Sequence, residues 1–83
     1  MDYVNILKEM AMELVEDKDH FAVRQMPSLD NNIIVLRVYS AKEDMARLIG
    51  RKGIMAISIR QVMSVAGKLS KKKLDIQFES FEA

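Results

Sequence analysis

Gly50 and Gly53 stand three positions apart with Arg51 and Lys52 between them, and this is the one stretch whose residue types and spacing suggest chemistry. That chemistry is the holding of a phosphate. Glycine lets the backbone turn sharply and lets a ligand come up against it. The two cations between the glycines add charge at the same spot. Apolar Ile49 and Ile54 close the stretch on both sides. The residues after Gly53 read as a helix, whose first N–H groups have no acceptor of their own and whose dipole is positive at that end, so an anion fits there. A bare G-x-x-G is also the sequence of a plain tight corner, so its flanks and the charge map must decide.

The net charge is only +1 and settles nothing, but its distribution is uneven. Residues 1–46 carry five Lys/Arg against nine Asp/Glu, net −4. Residues 47–73 carry eight Lys/Arg and no acid, and residues 74–83 carry three acids and no base. An acid-free basic block centred on a glycine turn is an electrostatic footprint for a polyanion. Arg47, Arg51, Lys52 and Arg60 cluster around the turn and are candidate contacts. Lys71, Lys72 and Lys73 read more simply as a solvated loop.

Other functions find little support. With no cysteine there are no disulfides, thiolate metal sites or thiol nucleophiles, and a reducing cytosol suits the chain. His20 is the only histidine and has no second ligand or serine context beside it, so it reads as a solvent-facing or loop residue. The carboxylates are scattered, and no metal cluster, nucleophile–base pair or nucleotide fingerprint appears. No catalysis, metal or cofactor is expected. The start has no basic-then-apolar leader and no apolar run approaches a membrane span, so a cytoplasmic location is expected.

Eighty-three residues make one small domain, and the glycine turn must be held by its elements. Val4, Leu7, Ala11 and Leu14 recur at helical spacing and predict an amphipathic helix over 3–15. Residues 20–26 alternate and predict a short strand, and Pro27 to Asn32 a turn. Ile33 to Tyr39 is the strongest strand signal. Its nearly continuous apolar character predicts a central strand covered on much of both faces. Ser40 and Glu43 have capping-box spacing, so a second helix is expected from Ala41 to Ile49. A third helix runs from Ile54 to Leu69. Leu74, Ile76 and Phe78 alternate inward on a last strand, with 79–83 as a flexible tail.

The third helix carries an apolar arc of roughly 200°, about twice what a helix needs to sit on one core. So wide an arc calls for a second surface, and self-association is the favoured reading, with Met55, Ile59 and Met63 as interface candidates. The alternative is a domain that wraps both sides of the helix. Gly67 inside this helix costs up to about 1 kcal/mol relative to alanine and marks either fraying or a close helix approach.

The order is helix, strand, strand, helix, glycine turn, helix, strand. Ile49-Gly50-Arg51-Lys52-Gly53 between two helices, followed by Ile59-Arg60, resembles the K-homology (KH) signature of RNA-binding domains. The element order is similar to the bacterial type II arrangement, and over nearly the full chain the sequence resembles the small single-domain KH proteins of the KhpA family. The resemblance implies an α+β fold, a three-stranded sheet packed on one face by three helices. It implies binding of single-stranded RNA, with the GxxG loop clamping the backbone of about four nucleotides beside an apolar groove. Gly50 and Gly53 would permit the approach, Arg51 and Lys52 would contact phosphates, Ile49 and Ile54 would line the groove, and Arg60 would be a weaker phosphate contact. It also implies homodimers, a larger KhpB (Jag/EloR)-like partner, and a chaperone-like role in post-transcriptional control touching cell elongation and division. The chain departs from the family pattern in two ways. Ser70-Lys71 stands where a glycine is expected near the end of the last helix, and Tyr3, Phe21, Tyr39, Phe78 and Phe81 all lie away from the loop in sequence. Without a stacking platform, one domain should bind modestly and with little selectivity, and pairing would raise affinity by avidity. The competing function is a protein–protein module whose KH loop is vestigial.

Overall fold

Asp2 starts the first helix. Its carboxylate accepts the N–H of Asn5 at 3.0 Å, an N-cap for α1 (Tyr3–Met12). In this computed structural model residues 1–81 are described, and Glu82 and Ala83 lie outside the described residues. A short 3₁₀ turn, Lys18–His20, leads into β1 (Phe21–Met26) and β2 (Ile33–Ser40). Then come α2 (Lys42–Ile49), a 3₁₀ turn over Arg51–Gly53, α3 (Ile54–Leu69) and β3 (Lys73–Ser80). The helix α1 ends about three residues sooner than its apolar spacing suggests. Lys18 explains the stop: its Nζ donates to the carbonyls of Met12 and Val15 at 3.0 and 2.7 Å, satisfying acceptors that another helical turn would have used.

The strands form one sheet in the order β1-β2-β3, with β1 antiparallel and β3 parallel to the central β2. A parallel return needs a crossover, and α2, the glycine turn and α3 supply it. The three helices cover one face. Tyr3, Leu7 and Ala11 of α1, Leu36 and Val38 of β2, Leu48 of α2, Ile59 and Met63 of α3 and Ile76 of β3 form one buried cluster. The resulting fold is α+β.

Two expectations are corrected, the capping box and the start of the tail. The central strand is covered on much of both faces, though unequally: Leu36, Val38 and Ser40 are buried, whereas Val35, Arg37 and Tyr39 are half-buried. Those residues shield one another within the sheet. Arg37 donates from two nitrogens to Gln77 Oε1 at 3.0 and 2.8 Å, and Tyr39 stacks on Phe81 at 5.6 Å. The capping box does not form. Ser40 is still in β2, paired with Ser80, and its hydroxyl donates to the Ala41 carbonyl at 3.0 Å, so Ala41 is the N-cap without a side-chain bond. The tail begins later than expected: Glu79 and Ser80 belong to β3, and Phe81 donates its N–H to the Ser40 carbonyl at 3.0 Å. The remainder of that tail, Glu82 and Ala83, lies outside the described residues. Finally, another residue takes the role of the glycine that is absent after α3. Lys71 itself adopts φ +56°, and Lys72 and Lys71 donate to the Gly67 and Lys68 carbonyls at 2.9 and 3.2 Å, which is the Schellman ending. Gly67 marks close approach, since a Cβ there would lie 2.6 Å from the Lys72 carbonyl oxygen.

Candidate nucleic-acid interface

The segment between α2 and α3 makes its corner through positive φ. Gly50 has φ +77° and ψ 172°, Lys52 has φ +57°, and Gly53 has φ +78° and ψ 11°. The Gly50 N–H closes α2 on the Ala46 carbonyl at 2.9 Å, and the Gly53 N–H returns to the Gly50 carbonyl at 3.1 Å. At Gly50 both conformation and space demand glycine: a Cβ would lie 2.8 Å from the Met55 backbone nitrogen and Cβ. At Gly53 a Cβ would meet nothing within 4 Å, so only the backbone angle requires it.

Arg51 and Lys52 are exposed on this corner, and among the described residues no hydrogen bond or ion pair holds either. They are free charges beside the start of α3. Ile49 is half-buried behind them, and Ile54, at 64% exposure, stands open in front. These six residues are consecutive in the chain and make up the corner.

Arg47 and Arg60 have other partners. Arg47 turns away from the loop, with its guanidinium 2.8 Å from Asp44 Oδ1 and 3.1 Å from Glu16 Oε1. The absence of acids held for residues 47–73 but not for space: α2 and the preceding loop bring two carboxylates to Arg47. Arg60 lies along β3, where its Nε and one terminal nitrogen donate to the Ile76 carbonyl at 3.2 and 3.1 Å. Its guanidinium carbon is 5.3 Å from the centre of the Phe78 ring. Neither arginine presents the free head expected of a phosphate contact.

The interface candidates on α3 also need revision. Ile59 and Met63 are 2% and 0% exposed, inside the monomer's own core, and Met55 is half-buried against it. The arc is indeed too wide for one core, but its other half is the open one. Ile54, Val62, Val65 and Leu69 form an exposed stripe along α3.

A residue that sequence reasoning undervalued is Asp44. It is buried, and its carboxylate accepts the N–H of Glu16 at 3.0 Å and of Asp17 at 2.9 Å, besides the Arg47 pair. Those backbone bonds, with help from Arg47 and against the cost of burial, hold the Asp44 carboxyl below its ordinary pKa. In the chain Asp44 stands simply in the first turn of α2. Nothing local shows that a loop 27 residues earlier supplies its donors. Asp44 thus ties α2, which ends in the glycine corner, to the turn leading into β1.

The family described as KhpA/KhpB, KH domain, matches residues 4–78. The chain belongs to the KhpA/KhpB KH-domain family. Among its relatives is a protein from Caldanaerobacter subterraneus subsp. tengcongensis named RNA-binding protein KhpA, 32% identical over 72 residues, which are 87% of this chain and 93% of the relative. Two solved structures share the fold at 20% identity. One is Era in complex with MgGDPNP and nucleotides 1506–1542 of 16S ribosomal RNA, with a TM-score of 0.60 over 94% of this chain. The other is a GDP-bound Era variant from Aquifex aeolicus, with a TM-score of 0.53 over 95% of this chain. The KH domain here spans only 30% and 31% of those two chains. No helix among the described residues is long and apolar enough to cross a membrane.

Proposed function

We propose that this KH domain binds single-stranded RNA without catalysis, gripping the phosphate backbone at Gly50–Gly53. The observation that carries the reading is the pair of exposed, unpartnered cations, Arg51 and Lys52, on a glycine corner at the start of α3. Backbone N–H groups at such a start complement anionic oxygens, and the two side chains supply charge. The relative named as an RNA-binding protein supports the same ligand class, as does the RNA held by one of the Era complexes. With RNA as ligand, we place the protein in the cytoplasm, acting as an RNA chaperone-like factor in post-transcriptional control. The link to cell elongation and division rests on the family resemblance alone.

A second element of the proposal is pairing through α3. The exposed residues Ile54, Val62, Val65 and Leu69 make an apolar stripe, interrupted by Ser58, that the monomer leaves uncovered, and a second copy would bury it. A KhpB-like KH chain is the other partner we infer for this face. Two coupled copies would bind one RNA with avidity that a single shallow site lacks.

The test is a fluorescence-anisotropy titration with a mixed-sequence single-stranded RNA at several salt concentrations. We expect the wild type to bind and to weaken with salt, and the folded double variant Arg51→Asp, Lys52→Asp to lose most of that binding. Losing two phosphate contacts should flatten the plot of log affinity against log salt by about 1.4. Equal binding by the double variant would overturn the loop assignment and favour a pairing module with a vestigial KH corner.

A further inference from the structure

The acid-free basic block of residues 47–73 does not stay together in space. Arg47 is tied to carboxylates and Arg60 to β3. Lys72 is half-buried, and its Nζ donates to the Asn31 carbonyl at 2.8 Å. The remaining cations divide between the two ends of α3. Arg51 and Lys52 stand at its start. Lys68, Lys71 and Lys73 are exposed at its end, and among the described residues no hydrogen bond or ion pair holds their side chains. The 16 residues of α3 set the two groups about 24 Å apart. The second group is not the solvated loop that its composition suggests. Lys68 lies in the last turn of α3, and Lys71 is fixed at φ +56° by the Schellman bonds. Lys73 is the first residue of β3, with its N–H on the Asn32 carbonyl at 2.8 Å. Three free cations are thus carried on hydrogen-bonded backbone. One of them, Lys71, occupies a left-handed position that glycine fills without strain and a side chain does not.

We propose that Lys68, Lys71 and Lys73 form a second phosphate-holding pole, which takes the backbone of the same RNA strand several nucleotides beyond the part held at Gly50–Gly53. This rests on the RNA-binding reading above and extends it to residues outside the corner. The spacing sets the length of the ligand. At the 3.4 Å per nucleotide of a stacked strand, about 24 Å is roughly seven phosphates. The corner clamps about four nucleotides, so a strand of that length held there ends short of the lysines, whereas a longer one reaches both poles. Two grips on one strand reinforce each other through effective concentration, so affinity should step up once the strand spans them. Charge fits as well. Between the poles the exposed positions of α3 include Gln61 and Ser64 and no acid. Asp30 and Asp75, in the adjoining turn and strand, accept from the Asn32 N–H at 2.8 Å and from Gln77 Nε2 at 3.3 Å, and neither takes a lysine. A lysine ammonium meets a phosphate as a point charge and needs no fixed plane. The strained position of Lys71 then has a use: glycine would close the helix more easily and leave the pole one cation short.

The competing role is that these lysines only complement the negative end of the α3 dipole. The two are separated by anisotropy titrations with single-stranded RNAs of about four and about twelve nucleotides over a range of salt. The proteins are wild type, the triple variant Lys68→Gln, Lys71→Gln, Lys73→Gln, and a control that removes three exposed cations elsewhere, Lys8→Gln, Arg24→Gln, Lys42→Gln. Circular dichroism checks that each is folded. Wild type should prefer the long RNA by more than its greater number of registers provides. The triple variant should lose that surplus. Its salt slope on the long RNA should flatten by about 2, which is about 100-fold in affinity between 1 M and 0.1 M salt. It should bind the short RNA as wild type does, and the control should keep both affinities. A triple variant that binds the long RNA like wild type, or weakens both RNAs equally, or does no more than the control, overturns the second pole. The single variant Lys71→Gly gives an independent reading. It should be at least as stable to heat as wild type yet bind the long RNA more weakly, and a gain in stability with no loss of binding would leave Lys71 as a helix stop only. Binding that is lost in Arg51→Asp, Lys52→Asp but untouched in the triple variant would remove the second pole and leave the corner standing. No binding of either RNA by the wild type would remove both.

Discussion

Gly50 and Gly53 share a motif but not a reason for being glycine. Gly50 combines φ +77° with ψ 172°, a region open almost only to glycine, and its missing Cβ leaves room for Met55. Gly53 is in the left-handed helical region with open space where a Cβ would go. Alanine at Gly53 therefore meets only the left-handed penalty, about 1–2 kcal/mol. Alanine at Gly50 adds a steric clash to backbone strain and should cost about 3 kcal/mol or more. Urea denaturation of the two single variants checks the order, and equal losses would show that the corner relaxes as a unit. Residue scale is also where Arg51 and Lys52 differ from Arg47. All three are exposed cations near the corner, but among the described residues only Arg47 has carboxylates within reach.

At the scale of elements, the position of the corner depends on how α2 is anchored. Its first turn holds Asp44, whose carboxylate draws in the backbone of Glu16 and Asp17 across a long loop in sequence. Since folding lowers the Asp44 pKa, the unfolded chain binds its proton more tightly than the native one. The stability that Asp44 contributes is complete above the ordinary aspartate value of about 3.9 and is lost as pH falls through the lower native value. Asp44→Asn should lower stability at neutral pH and flatten the fall in stability below about pH 4. Chemical denaturation of both proteins across that range tests it. Parallel acid limbs would mean that some other carboxylate sets the acid sensitivity. Element α3 shows the same dependence on context. Its last turn is closed by Lys71 in a left-handed conformation, stabilised by two Schellman bonds that compensate for the absent glycine.

For the molecule as a whole, α3 faces two ways. Its inner half, with Ile59 and Met63, completes the monomer core, and its outer half, with Val62, Val65 and Leu69, meets solvent. Substitutions two positions apart should therefore behave differently. Val65→Asp, at a site 61% exposed, should leave helicity and melting temperature nearly unchanged and, if the proposed pairing uses this stripe, turn the pair into monomers. Met63→Asp buries an unpaired charge and should prevent folding. Light-scattering mass and circular dichroism read both outcomes. A Val65→Asp protein that stays dimeric would move the contact off this stripe. The proposed RNA corner and the exposed stripe meet at Ile54, the first residue of α3, so the proposed pairing and RNA binding would share a boundary on one helix.

The order of elements, the bounds of α3 and the glycine corner with two cations inside it were readable from the sequence, but not which of the nearby cations stand free. Each rests on local chemistry: apolar periodicity, turn residues and charge close along the chain. What local reading missed involves partners far apart in sequence. Asp44 finds its donors 27 and 28 residues away, Arg47 its second carboxylate at Glu16, and Arg60 its carbonyl and ring on β3. The periodicity of α3 also gave the width of its apolar arc but not which half faces inward. That was decided by the parallel pairing of β3 with β2, which turned Ile59 and Met63 onto the sheet and left Ile54, Val62, Val65 and Leu69 outside. A helix's periodicity shows how much apolar surface it has, while tertiary packing selects the part that is buried.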